Sequence, residues 1–170
     1  MKRIFRYLSV ACLLSLVLVQ PAFAQTLVLS DRLRIELDAP LTLAHSERML
    51  IMKYSDWSLM HEVVNPAEMY TQINLTGIER DYIIAMFDPQ KRRHLPGWLA
   101  ALADEQARIL GIEKGHVNRT DAGDVSIYSV YDPERQVGHL YVFEPLKIHH
   151  LIMQGPESRL MDVIGKLGGK

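Results

Sequence analysis

Along residues 32–37 apolar and charged side chains take turns. Leu33, Ile35 and Leu37 alternate with Arg32, Arg34 and Glu36, the two-residue period of a strand with one buried face. "RMLIMKY" (48–54) and "WSLMHEVV" (57–64) follow as strands, and Ser55-Asp56 between them reads as a tight hairpin turn. The period then lengthens. "GIERDYIIAMF" (77–87) reads as a helix, with Thr76 as its N-cap and Glu79 at capping-box spacing. "DPQKRRHLP" interrupts it. A second helix is expected to start at Pro96, with Trp98, Leu99, Leu102, Ile109 and Leu110 as its apolar stripe and Gly111 as the residue that ends it. Strands resume at "DVSIYSVYD" (124–132), "QVGHLYVFE" (136–144) and "KIHHLIMQG" (147–155). A helix "PESRLMDVIGKL" (156–167) stops at Gly168. Strands and helices in blocks predict an α+β fold: an antiparallel β-sheet with helices packed on it, ordered strand block, helices, three-strand meander, C-terminal helix.

The meander can be registered by its loops. A two-residue loop at Pro145-Leu146 pairs Phe143 with Ile148, Tyr141 with His150, His139 with Ile152 and Val142 with His149. A symmetric loop from Pro133 to Gln136 sets Tyr128 opposite Tyr141 and Val130 opposite His139. One face then carries Ile127, Leu140, Val142, Leu151 and Met153, and reads as core. The other carries Tyr128, His139, Tyr141, Phe143 and His150, large rings with polar tips that suit a partner surface or a partly covered groove. These five are the candidate binding residues. His149 and His150 point to opposite faces and cannot easily share a metal. His139 and His150 are diagonal neighbours and form the one plausible two-histidine cluster. A metal there needs a third ligand, which the sequence does not supply, so the expectation is no metal and half-exposed histidines hydrogen-bonded on the sheet. A pH-responsive surface is the third reading.

The first 24 residues read as a cleaved signal peptide. Lys2, Arg3 and Arg6 precede an apolar run from Leu8 to Val19, and Ala22-Phe23-Ala24 offers a cleavage site before Gln25. The run is too short to span a bilayer comfortably, so no stable membrane span is expected after its removal. Cys12 is the single cysteine, and its loss leaves residues 25–170 as one cysteine-free domain, without disulfide, thiolate ligand or cysteine nucleophile. Three basic residues leave as well. The remaining 16 against 20 acidic residues give a balance of −4, which argues against nucleic acid as partner. The glycosylation patterns at Asn74 and Asn118 are read as coincidence in a bacterial, periplasmic or secreted protein.

Familiar catalytic signatures are missing. There is no HExxH, no Gly-x-Ser-x-Gly elbow and no glycine-rich phosphate loop; His61-Glu62 is a dipeptide in a strand. Asp121-Ala-Gly-Asp124 reads as a turn before a strand, because the alternating ligands of a calcium loop are absent. Asp104 and Glu105 read as a solvated helix face; Asp56, Asp88, Asp132 and Glu144 read as surface positions at turns and strand ends. Lys91-Arg92-Arg93-His94 reads as a solvated loop, with docking to an acidic partner or anionic lipid as its alternative. Trp57 and Trp98 read as core anchors, and Met49, Met52, Met60 and Met153 as core filler.

The stretch "DVSIYSVYDPERQVGHLYVFEPLKIHHLIMQGPESRLMDVIGKL" and the order of elements before it resemble the PsbP/Mog1-like group of small exported α+β sandwiches, over about Leu27 to Leu167. The resemblance is topological. It implies a non-catalytic accessory, assembly or binding role, and it carries over no functional residue and no cofactor. The expected function is an exported non-catalytic binding protein of the bacterial envelope acting on another envelope or periplasmic protein, for example as an immunity-type inhibitor or an accessory factor. A small-ligand or metal-binding module using His139, Tyr141 and His150 is the alternative. A small periplasmic hydrolase, with acidic residues brought together only by folding, is the third.

Overall fold

The computed structural model describes residues 24–122 and 125–169. The expected signal peptide lies outside them except for Ala24, which opens strand β1 (Ala24–Val28); Gly123 and Asp124 of the expected turn also lie outside. β2 (Leu33–Asp38) alternates as its sequence demands, with Leu33, Ile35 and Leu37 buried and their neighbours exposed. It pairs with β1 and with β10 (Leu167–Gly169) in a three-stranded antiparallel sheet.

The larger sheet has seven strands: β3 (Thr42–His45), β4 (Met49–Lys53), β5 (Ser58–Val63), β6 (His116–Ala122), β7 (Val125–Asp132), β8 (Val137–Phe143) and β9 (Ile148–Gln154). Their order is β3-β4-β5-β9-β8-β7-β6, antiparallel throughout. Two meanders thus join where β9 pairs with β5. The hairpin at Ser55-Asp56 forms, closed by the Tyr54 N–H donating to the Trp57 carbonyl. The expected meander register also holds: Tyr141 faces His150, Val142 faces His149, and Tyr128 faces Tyr141. The Glu144 N–H donates to the Lys147 carbonyl and closes the two-residue loop.

Among the described residues there are four helices, α1 (Glu79–Phe87), α2 (Pro89–Arg92), α3 (Gly97–Ile109) and α4 (Glu157–Lys166). Thr76 does not cap α1. The helix starts after Ile78, with no side-chain cap, because Gly77 at φ +88° turns the chain first and Glu79 accepts the Gly77 N–H instead. Asp88 ends α1 and caps α2, accepting the Gln90 and Lys91 N–H groups. Pro96 precedes α3 as expected. Gly111, at φ +74°, ends it: its N–H donates to the Arg108 carbonyl, and the Ile112 N–H reaches the Ala107 carbonyl. The buried stripe of α3 matches the expected one at Leu99 and Leu110, with Leu102 packed at its margin, but not at Trp98 and Ile109. Leu99, Ala103, Ala107 and Leu110 are inside, whereas Trp98 and Ile109 are 55% and 49% exposed. The small alanines let α3 lie close against α1, and the larger Trp98 and Ile109 are turned out.

Both faces of the seven-stranded sheet are covered, and this corrects the amphipathic reading of the meander. The expected core face packs Ile127, Leu140, Val142, Leu151 and Met153 against β2 and against Leu160 and Val163 of α4. The opposite face is a second core, with Tyr128, Val130, Tyr141, Phe143 and Ile148 under Tyr82, Ile83 and Met86 of α1 and Leu99 of α3. Burying side chains of this size is worth roughly 1.5–3 kcal/mol each, far more than leaving those rings to water.

The basic run beside α2 is also partly used up. The Arg92 guanidinium donates to the carbonyls of Ala85 and Met86 and pairs with Asp104. It satisfies acceptors that the C-terminal turn of α1 leaves without intrahelical donors, so only Lys91, Arg93 and His94 remain on the surface.

Candidate functional site

Strand pairing brings two histidine–glutamate chains to the same place from sequence positions 88 residues apart. β5 supplies His61 and Glu62, which point to opposite faces; β9 supplies His149 and His150, which do the same. On the helix-covered face, His150 Nδ1 lies 2.9 Å from Glu62 Oε1, and His150 Nε2 lies 3.2 Å from His139 Nδ1. Tyr141 stacks on His150 with ring centres 4.3 Å apart and planes 4° from parallel. On the other face, Glu144 Oε2 is 2.9 Å from His149 Nε2, and His149 Nδ1 is 3.0 Å from His61 Nε2. Ser30 Oγ donates to Glu144 Oε1 at 2.7 Å.

Each chain therefore reads carboxylate, imidazole, imidazole. The carboxylates set the tautomers. An ionised Glu144 accepts only, so His149 carries its proton on Nε2, and its Nδ1 accepts from His61 Nε2–H. By the same logic Glu62 takes the His150 Nδ1–H, and His150 Nε2 accepts from His139 Nδ1–H. Hydrogen bonding to His150 holds Glu62 below the usual carboxylate range. Burial pushes Glu144 up, but the hydrogen bonds from Ser30 and His149 outweigh it and leave Glu144 lowered. Burial, and then the neighbouring His149, drives His61 down to about 4. Burial and His150 drive His139 down to about 3. Burial raises Tyr141, reinforced by the Glu62 charge.

The two chains open on one feature. An open cleft of about 780 Å³ is lined by His61, Glu62, Tyr141 and His150, with Glu47 and Arg48 beyond β3 and Tyr70 from the loop before α1. Of the five residues expected to form a binding face, Tyr141 and His150 reach this cleft. Tyr128 and Phe143 are buried among the α1–α3 side chains, and His139 stands behind His150. The histidines are also less exposed than expected: His149 is fully buried and His150 is 8% exposed. For His150 the cause is again the second core, which closes over its face of the meander; His149, on the opposite face beside the first core, is enclosed with Glu144 and His61.

Glu62, His61, Glu144 and His149 were not among the expected site residues. Glu144 sits at a strand end, as its sequence says, yet is only 5% exposed because it is folded under Ser30 and His149. The one signal available was the matching of adjacent dipeptides, His61-Glu62 and His149-His150, both on strands.

Ser30, Glu144 and His149 have the residue types of a hydrolase triad in the wrong order. The serine hydroxyl donates to the carboxylate and accepts the Arg32 and Leu33 N–H groups, so no imidazole is placed to take its proton. Both nitrogens of His149 and of His150 are occupied by neighbours. Among the described residues, no three His, Cys, Asp or Glu side chains converge as a metal ion requires. Likewise no described helix is long and apolar enough to cross a membrane. No protein-family model matches the chain, and no curated protein matches it.

Proposed function

We propose that this chain is an exported, non-catalytic binding protein of the bacterial envelope, and that it works by receiving a ligand group in the cleft over Glu62, Tyr141 and His150. One observation carries the reading. Four side chains that line the cleft, His61, Glu62, Tyr141 and His150, are held before any ligand arrives, by a carboxylate at the root of each histidine chain and by stacking of Tyr141 on His150. Such preorganisation removes ordering cost from binding, and the doubly occupied rings of His149 and His150 serve that purpose better than acid–base work. The group in the cleft belongs to a small molecule or to a side chain of another envelope protein; an immunity-type inhibitor or an accessory factor is the second case. The order strands, helices, meander, helix supports kinship with the PsbP/Mog1-like group as part of the same proposal.

Periplasmic extract, divided into small-molecule and protein fractions, can be titrated against protein carrying ¹⁵N-labelled histidine. At least one fraction is expected to shift the His61 and His150 resonances while leaving those of His94 and His116 in place. If no fraction moves them, the reading is lost.

A further inference from the structure

The cleft offers acceptors and little free positive charge. Arg48 is the cation among its lining residues, and it lies 2.5 Å from Glu68. Glu47 lines the cleft, is exposed, and has no ion pair among the described residues. Glu62 is 34% exposed, and its one described partner, His150, is a hydrogen-bond donor. The Glu144 chain fixes His61 with its proton on Nε2, so His61 Nδ1 is a lone pair. That nitrogen has no partner among the described residues and is not sealed from solvent. Tyr141 adds an independent sign: the residue is only 6% exposed and lines the cleft, yet its hydroxyl has no described partner and is not closed off. A ring so deeply buried ordinarily finds a bond for its hydroxyl.

We infer that the cleft takes an organic cation rich in N–H donors, an alkyl ammonium or a guanidinium. Its charge is answered by Glu62 and Glu47, and its N–H groups by Glu62, the Tyr141 hydroxyl and His61 Nδ1. An anion would meet uncompensated carboxylates. A neutral polyol would leave their charge unanswered. Glu62 and His61 point to opposite faces of β5, so the acceptors stand at two stations along the cleft, which favours a cation with donors spread along it over a compact ion. The same chemistry arrives as a free diamine or as a lysine or arginine side chain of an envelope protein. This inference rests on the cleft being the binding site.

Calorimetric titration of the purified protein with cadaverine, pentanediol and glutarate, which share a chain length, and with a short peptide rich in lysine and arginine, separates these cases. Cadaverine or the peptide is expected to bind, and the neutral and anionic counterparts are not. Tighter binding of cadaverine assigns a free amine; tighter binding of the peptide assigns a partner side chain. Glu62→Gln, which retains an acceptor for His150, is expected to weaken binding by about tenfold. Glu47→Gln, at an exposed position that cannot upset folding, is expected to weaken it about threefold. Equal binding of glutarate or pentanediol, or unchanged affinity in both variants, overturns the inference. If none of the four probes binds while an extract fraction still shifts the histidine resonances, the cation is wrong and the cleft stands. If neither responds, both fall.

Discussion

Replacing Glu144 by alanine is expected to cost the fold about 2–4 kcal/mol, because it leaves two buried donors, one on His149 and one on Ser30, without their acceptor. Glu144 is 5% exposed and His149 is not exposed at all. With the carboxylate gone, the His149 Nε2–H and the Ser30 hydroxyl both point into space that water reaches poorly. The loss spreads, because Ser30 also holds the Arg32 and Leu33 N–H groups at the start of β2, and β2 covers one face of the large sheet. Urea denaturation would show a lower midpoint at unchanged slope. A change under about 1 kcal/mol would mean that Glu144 is not the buried root of the chain.

Glu144→Gln separates the charge from the hydrogen bonds. The glutamine carbonyl can accept from Ser30, and its amide can donate to His149 Nε2, provided the chain reverses. His149 then carries its proton on Nδ1 and donates to His61 Nε2, and His61 moves its own proton to Nδ1. The cost to stability is expected to be well below that of alanine. The tautomer exchange is readable in the imidazole ¹⁵N shifts of His61 and His149. Reversal also turns the open nitrogen of His61 from acceptor to donor, so a cationic ligand should bind more weakly although the variant residue does not line the cleft.

What could be read from residues 24–169 follows the range over which the determining forces act. The meander was legible down to individual pairs, because its loops are short and a two-residue loop leaves one register. Gly111 was legible for a similar reason, since ending a helix is a local event. Of the strands that show no alternation, β3 and β6 lack an inward side, and β1 and β10 each turn a single leucine, Leu27 and Leu167, toward the first core. β3 is exposed along its length, the described side chains of β6 are exposed, and β10 is a Leu-Gly-Gly tail whose pairing with β2 depends on where α4 sets it. Edge strands of this kind are polar because they must not invite further pairing, which erases the alternation that reveals a strand. The second core was hidden for another reason. Tyr and His satisfy both a wet surface and a packed one, and only the docking of α1 and α3 decides between them. The site itself depends on β5 lying beside β9, a pairing between residues 88 apart that no local pattern announces. For that reason His61 and Glu62 read as an ordinary strand dipeptide.

The remaining large effect is a loss of stability in acid that begins well above the carboxylate range. His61 and His139 are held down to about 4 and about 3, against an ordinary 6.5. The unfolded chain therefore takes up protons on these rings from about pH 6.5 downward while the folded chain refuses them, so the stabilisation is complete above that pH and drains away as pH falls toward 4 and 3. Each refused proton is worth about 1.4 kcal/mol per pH unit. Halved for the partial exposure of both rings, the pair still predicts a loss on the order of 3 kcal/mol between about pH 7.5 and about pH 4.5. Glu62 and Glu144 are both lowered, and they add to the same slope only lower down, as pH falls through their folded values. Urea titrations across this range should show the midpoint falling from just below neutrality. His139→Gln should flatten the upper part of the curve, and adding His61→Gln should flatten it further. A stability that stays level from neutral pH to about pH 5 in the parent protein would mean that these imidazoles are free to protonate where they stand, and the ordered hydrogen-bond chains beneath the cleft would have to be given up with them.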